Sequence, residues 1–596
     1  MTFWENKKKR KMPTYTFCGK TVSGPFTIPS GIITVTYDTA LHFATSCPEL
    51  GIVTTKSIGP EVRNGNREPV YAQVTKSTRD TFINAVGLAG PGAKAYLSEL
   101  QNSPRLPSNK FFLISVFGRN TEDFVEVAQT LAEYADGYEL NFSCPHAEGH
   151  GLELCSTPGL AASIVAAVKA VVPHIPIIPK LSPNLANGAI AELVTSLRDA
   201  GASGFTAINT VGPIPSEVLS NARGGLSGPT VFKRACEVVS LMRSALGPDV
   251  PIIGMGGVSS SEDVKALMKC GANFVGIGTT LTGLSTASCR DALRLMGSSG
   301  GITAVKAMQL RAPDMLFEPM TVTKITHVNP KLAILQLSGD VCSRPGQFLM
   351  VWIPGFGEKP FAPSHTAPCT IVVRGIGILT NQLVEKTAVG DTLQVRGING
   401  YGTSFTVPAA TRPGNTFIMV GGGTGIAPLL LLAKELSEST RASREDIHVY
   451  LGGRSQTELY YEEEFGMYAT VHCATDDGTA GFHGTVVALL DHDLSVLTNN
   501  NPGERRNYFF YNCGPERMMA AAVKVQEKVE ASQSVIRVLE ASIERYMKCG
   551  VGICGVCSCD GLRMCVDGPI MGYEFLKASA SFGKKHRTKT TEIIEW

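Results

Sequence analysis

The 596-residue sequence carries almost no net charge, no apolar run long enough to cross a bilayer and no stretch that reads as a secretory leader, and each absence argues against a class of function. Its 54 Lys and Arg nearly balance 52 Asp and Glu, leaving +2, which makes no electrostatic case for nucleic acid or an anionic membrane surface. The one basic block, "KKKRK" (7–11), reads as part of a solvated basic tail over 1–14. "APLLLLA" (427–433) falls far short of the roughly 20 apolar residues of a membrane span. No apolar segment of the signal-peptide kind follows the basic block, so the chain is expected in the cytoplasm. Without secretion, its sixteen cysteines are expected to be thiols and metal ligands rather than a disulfide framework. The length predicts several domains, and 43% apolar residues are those of an ordinary globular protein.

What is present first is alternation. Eight strand-like runs, "GIITVT" (31–36), "IVTTK" (52–56), "FFLISVF" (111–117), "YELNF" (138–142), "PIIPKL" (176–181), "GFTAIN" (204–209), "PIIGM" (251–255) and "FVGIG" (274–278), are separated by helical or loop segments. This fits a (β/α)8 barrel or a doubly wound open sheet. The polar residues favour the barrel: Lys56, Asn141, Lys180 and Asn209 stand at or near the C-terminal ends of their runs, the face on which barrel enzymes build their sites. The last two runs lead into "GMGG" (254–257) and "GIGTT" (276–280), glycine turns whose backbone N–H groups can close on a phosphate.

"NFSCP" (141–145) follows the fourth run. A thiol there, with Pro145 stiffening the loop, can act as a general base, because its ordinary pKa of about 8.5 needs only modest lowering for work near neutrality. A buried structural cysteine is the alternative. Together with "TTKSIGP" (54–60), "NAVGL" (84–88), "KLSPN" (180–184), "INTV" (208–211), "GGLSGP" (224–229) and "GMGG", these motifs stand in the order seen in dihydroorotate dehydrogenases. Residues 20–300 resemble the cytosolic members, which use a cysteine base. The resemblance implies FMN held by Ser30, Gly31, Lys56, Asn141, Lys180, Gly228, Gly256, Gly257, Gly278 and Thr279. It implies substrate contacts from Lys56, Asn84, Gly87, Leu88, Asn141, Asn209 and Thr210, with Cys144 and Lys56 as catalytic residues. Two departures lie at the expected substrate loop: "AGPG" (89–92) replaces the family's Asn-Pro-Gly, and the segment after Thr210 is shorter and lacks Gly-Met-Ala-Ile-Asp.

From about 315 the texture changes to short β-rich runs such as "MTVTKITHV", "FLMVWI" and "TIVVRGIG" between Gly and Pro turns, which predicts a small antiparallel barrel. "TFIMVGGGTGIAPLLLLAKEL" (416–436) is a strand, a glycine-rich turn and an apolar helix, the arrangement that sets a pyrophosphate at a helix N-terminus. "HVYLGGRS" (448–455), "ATDDGTAG" (474–481) and "FFYNCGPERMM" (509–519) are spaced as further strand ends of an α/β domain. Residues 315–596 resemble the ferredoxin–NADP⁺ reductase superfamily, and more narrowly the electron-transfer subunit that partners NAD-linked dihydroorotate dehydrogenases. That resemblance implies FAD at Lys359, Pro360, Phe361, Ala362 and Thr380, with Lys359 and Ala362 replacing the family's arginine and serine. It implies NAD at Gly421, Gly422, Gly423, Thr424, Gly425, Cys513 and Gly514.

Near the end, "CGVGICGVCSCDGLRMC" (549–565) places five cysteines in seventeen residues. Cys549, Cys554 and Cys557 have the C-x₄-C-x₂-C spacing of a plant-type [2Fe–2S] site, and a zinc knuckle is the alternative. Cys559 or Cys565 would be the fourth ligand; Cys559 crowds Cys557, and Cys565 stands in the family's place, so the expected ligands are Cys549, Cys554, Cys557 and Cys565. The expected division is a barrel domain over 15–310, an FAD-binding antiparallel barrel over 315–412, an NAD-binding α/β domain over 413–540 and a cluster domain over 541–596. The expected activity is oxidation of dihydroorotate to orotate, electrons passing from FMN through [2Fe–2S] and FAD to NAD⁺. Two alternatives stay open: a dihydropyrimidine dehydrogenase using NAD(P)H, and a non-catalytic redox carrier with a docking barrel. No nucleic-acid or membrane partner is expected, and a homo-oligomer is compatible with the sequence.

Overall fold

A computed structural model describes residues 14–75, 78–142, 158–298, 314–409, 412, 414–440, 442–500, 506–532 and 534–596. Cys144 and the basic tail, save Thr14, lie outside the described residues. Eight parallel strands, β1 Phe26–Thr27, β2 Leu50–Thr54, β3 Phe111–Val116, β4 Gly137–Asn141, β5 Ile177–Leu181, β6 Phe205–Ala207, β7 Ile252–Met255 and β8 Phe274–Gly276, pair in chain order, and β8 closes on β1. Every residue of β2 to β5 is buried, as parallel strands covered on both faces require.

Seven of the eight apolar runs became barrel strands; "GIITVT" did not. The first strand is the two-residue β1, and the chain then passes Pro29 and Gly31 into a loop with Ile33 at φ +56° before helix Tyr37–Ser46. Ile33 and Val35 of that run are buried against the cysteine-rich segment instead. The Ile33 N–H donates to the Ile553 carbonyl at 2.7 Å, and a Cβ on Gly555 would come within 2.7 Å of the Val35 Cβ.

Two loops at the C-terminal ends of β2 and β6 build a four-stranded antiparallel sheet over the barrel mouth, from Tyr71–Thr75, Thr78–Asn84, Arg223–Ser227 and Val211–Pro215. The segment after Thr210 is thus one arm of a hairpin. In the second half, the expected antiparallel barrel is a seven-stranded antiparallel sheet from Glu318 to Tyr401. It is followed by a parallel sheet on Asn415–Gly422, Ile447–Gly453, Thr470–Thr475, Asn507–Cys513 and Val535–Ser542. The last of these runs through position 541, and Ile570–Gly572 from the cysteine-rich end pairs antiparallel with it. Among the described residues no helix is long and apolar enough to cross a membrane.

One imidazole in this parallel sheet ties stability to pH. His448 Nδ1 lies 3.3 Å from His472 Nε2, and burial, then His472, hold the His448 pKa down to about 4 from 6.5. Between those values the unfolded chain binds the extra proton, so stability is complete above pH 6.5 and falls as the pH drops toward 4. The loss should reach at most about 3 kcal/mol. Melting curves from pH 7 to 5 should show a drop that is shallower in His448→Asn; parallel curves would contradict this.

Candidate active site

The strand ends open into a cavity with about 1290 Å³ of empty volume, open solvent at its mouth included. Its wall brings together Ser30, Gly31, Lys56, Asn84, Gly87, Leu88, Asn141, Lys180, Asn209, Thr210, Gly228, Gly256, Gly257, Gly278 and Thr279. Every barrel residue singled out from sequence is therefore in one place, apart from Cys144, which lies outside the described residues.

The polar floor is connected. Asn141 Nδ2 donates to Ser57 Oγ at 2.9 Å, which lies 3.1 Å from Ser30 Oγ and 2.9 Å from Ser115 Oγ. Ser115 in turn donates to Glu139 Oε1, which sits 3.7 Å from Lys180 Nζ in a fully buried ion pair. Burial, reinforced by the Lys548 ammonium, lowers the Lys56 pKa to about 8 against the pull of Cys554, so Lys56 keeps its proton near neutrality. At the turn after β7, Gly257 has φ +75° and a Cβ there would lie 2.6 Å from the Gly228 carbonyl. Only glycine lets these two turns approach, which is the kind of cradle a phosphate needs.

The far wall of this cavity is not barrel. Ile553 and Cys554 line it, from the cysteine-rich segment 549–565, which sequence reasoning had not placed at the barrel mouth. Cys549, Cys554, Cys557 and Cys565 are all buried. The Cys549 thiol is hydrogen-bonded with those of Cys554 and Cys565, and Cys557 and Cys565 sulfurs lie 3.3 Å apart. Backbone N–H groups of Val551 and Cys554 donate to Cys549 Sγ, and that of Gly552 to Cys565 Sγ at 3.1 Å. Cys559 is turned away onto Arg545, whose Nη2 donates to it at 3.1 Å, and burial pushes its thiol up to about 12. Among the described residues no group of three or more His, Cys, Asp or Glu is arranged around a single ion. The thiols form one contact group, Cys554 and Cys565 on Cys549 and Cys557 on Cys565, a set of four thiols of the kind that holds a two-iron cluster completed by inorganic sulfide.

Known proteins agree with this arrangement. Residues 12–294 match the family described as "Dihydroorotate dehydrogenase", 419–524 match "Oxidoreductase NAD-binding domain", and 544–577 match "Iron-sulfur cluster binding domain of dihydroorotate dehydrogenase B". The chain is 39% identical over 240 residues to "Dihydroorotate dehydrogenase B (NAD(+)), catalytic subunit" of Pyrococcus abyssi, covering 39% of this chain and 75% of that protein. Its namesake in Methanocaldococcus jannaschii is 36% identical over 271 residues, covering 44% of this chain and 85% of that one. The chain belongs to the dihydroorotate dehydrogenase family. Within this dihydroorotate dehydrogenase, barrel, NAD-binding domain and iron–sulfur domain are fused in one polypeptide.

The reductase half brings a second set of the expected residues together. Gly421 pairs with Cys513 across adjacent strands, and a Cβ on Gly425 would lie 2.4 Å from the Cys513 carbonyl carbon, so Gly421–Gly425, including Thr424, and Cys513–Gly514 form one surface. Opposite, Thr380 caps helix Ile378–Glu385 by accepting from the Ile376 and Gly377 N–H groups. Arg374, which sequence reasoning passed over, ion-pairs with Glu458 at 3.0 Å and reaches within 4.0 Å of a Cβ on Gly423, joining the two sides. Lys359, Pro360 and Phe361 lie on strand Gly357–Phe361 and Ala362 follows it. The Lys359 ammonium is taken up elsewhere: by Glu68 of the barrel at 3.3 Å and the Tyr546 hydroxyl at 3.0 Å, with the Tyr546 ring 4.2 Å away.

Proposed function

We propose that this chain oxidises dihydroorotate to orotate at the barrel cavity and delivers the electrons to NAD⁺ within one polypeptide. The observation that carries it is the position of segment 549–565, which supplies Ile553 and Cys554 to the barrel cavity and is held on its other side by the antiparallel sheet. FMN in the barrel cavity, a [2Fe–2S] cluster and FAD supply respectively a two-electron acceptor for the substrate, a one-electron carrier and a donor that can reduce NAD⁺.

The residues that act are this chain's own. Cys144 is proposed to take the C5 proton as the C6 hydride leaves. Lys56, Asn84, Asn141 and Asn209 hold the ring, and the buried Lys56 ammonium offsets charge developing on its carbonyls. Ser30, Gly31, Lys180, Gly228, Gly256, Gly257, Gly278 and Thr279 are proposed to hold FMN, with Lys180 Nζ anchored 3.7 Å from Glu139 Oε1. Cys549, Cys554, Cys557 and Cys565 are the proposed ligands of the cluster, and Thr380 with the Gly421–Gly425 turn the proposed nucleotide surface of the reductase half.

Dihydroorotate differs from dihydrouracil by a carboxylate at C6. A site built to pair that carboxylate rejects the analogue lacking it, because its buried polar groups are left unsatisfied. The preference for dihydroorotate should be at least about a hundredfold in kcat/KM, or roughly 2.7 kcal/mol. Steady-state assays of both substrates with NAD⁺ measure it. Equal turnover of dihydrouracil would mean that the hairpin after Thr210 has changed the substrate.

A further inference from the structure

Two buried guanidinium groups donate into carbonyls of segment 549–565 from opposite sides. Arg563 belongs to the segment and ties it to the barrel: Nη1 donates to the Gly552 carbonyl at 2.6 Å and Nη2 to the Leu284 carbonyl at 3.0 Å. Arg396 comes from the antiparallel sheet, and its Nη2 donates to the Cys549 carbonyl at 2.9 Å. Its Nε meets Glu358 Oε1 at 2.5 Å, and both side chains are wholly buried.

This Arg396–Glu358 pair is an expensive thing to keep. Two charges out of water are often matched or bettered in stability by a hydrophobic pair of the same size. Here the pairing is also incomplete, because Arg396 Nη1 and Glu358 Oε2 have no hydrogen-bond partner among the described residues. Stability alone gives no reason for it. Its location does: the guanidinium touches the peptide of the first cysteine of the thiol group. Four thiolates, two ferric ions and two sulfides carry a net −2, and each electron that enters adds another negative charge in a site with little water. A fixed cation at that peptide favours the reduced form, and a carboxylate behind the cation weakens its effect.

We propose that Arg396 is a positioning residue whose buried charge sets how readily the cluster accepts an electron, with Glu358 as its counterweight. This rests on the reading that the four thiols hold a two-iron cluster. The opposite signs of the two charges separate the proposal from a merely structural role. Arg396→Gln should make the cluster about tenfold harder to reduce, a downward shift of about 59 mV for one electron. Glu358→Gln should shift it upward, and Arg396→Lys should lie nearer the parent than Arg396→Gln does.

The test is a redox titration of the full-length protein followed by the electron-paramagnetic resonance signal of the reduced cluster, with iron and acid-labile sulfide measured on the same samples. Opposite shifts in the two glutamine variants support the proposal. Unchanged potentials, or shifts of the same sign, overturn it. If Arg396→Gln assembles no cluster, an upward shift in Glu358→Gln with near-parent behaviour in Arg396→Lys supports it and any other pair of results overturns it. If none of the variants assembles a cluster, the pair is a folding element and the proposal fails. Absence of iron and sulfide from the unsubstituted protein would fail the cluster reading itself, which is a different result from a loaded cluster whose potential ignores both substitutions.

Discussion

Cys565→Ser is expected to cut dihydroorotate-driven reduction of NAD⁺ at least about a thousandfold, or roughly 4 kcal/mol, while leaving both half-reactions with artificial dyes. Cys565 is buried, accepts the Gly552 N–H at 3.1 Å and touches Cys557 Sγ, so it closes the thiol group. A serine oxygen is a harder ligand than thiolate and disfavours iron–sulfur binding. The loop cannot move to compensate, because Asp567, two residues on, accepts from the Thr286 N–H and hydroxyl at 2.6 Å each. Dihydroorotate should still reduce a dye at the barrel, and NADH should still reduce one at the reductase half. Full NAD⁺ reduction by a variant shown to lack the cluster would mean that the two halves exchange electrons directly.

Lys56→Met is expected to lower dihydroorotate oxidation with a dye by about a thousandfold, mostly in kcat, because a preorganised donor at developing charge contributes about 10²–10³. Lys56 is only 7% exposed, and methionine fills its volume without its charge. NADH oxidation by a dye, which needs only the reductase half, should stay within about twofold of the parent, since Lys56 lines the barrel cavity and the Gly421–Gly425 turn does not. A loss smaller than about tenfold at the barrel would remove Lys56 from the catalytic machinery.

Much of the barrel was legible because its chemistry sits where strands end. Lys56, Asn141, Lys180 and Asn209 mark those ends, and the glycine turn after β7 is forced by the close approach of Gly257 to the Gly228 carbonyl. The run "GIITVT" misled because β-branched apolar residues report burial and not the partner; here the partner is Ile553 and Gly555, more than five hundred positions on. The same distance hid the fate of Lys359, whose partners Glu68 and Tyr546 are 291 and 187 positions away. Arg396 belongs to no motif and acquires meaning only when the fold sets it on the Cys549 carbonyl, 153 positions on. Cysteine spacing alone left the fourth thiol open between Cys559 and Cys565; the fold gives them different partners, Arg545 for Cys559 and the Gly552 N–H for Cys565 Sγ.

The central claim is that one polypeptide contains both ends of the electron path. The most direct measurement is an anaerobic steady-state assay of the purified full-length chain alone, with dihydroorotate and NAD⁺, following orotate and NADH together. One NADH should form for each orotate with no added protein or dye. Orotate formed only when a dye or a second protein is supplied, with no NADH from the chain alone, would contradict it.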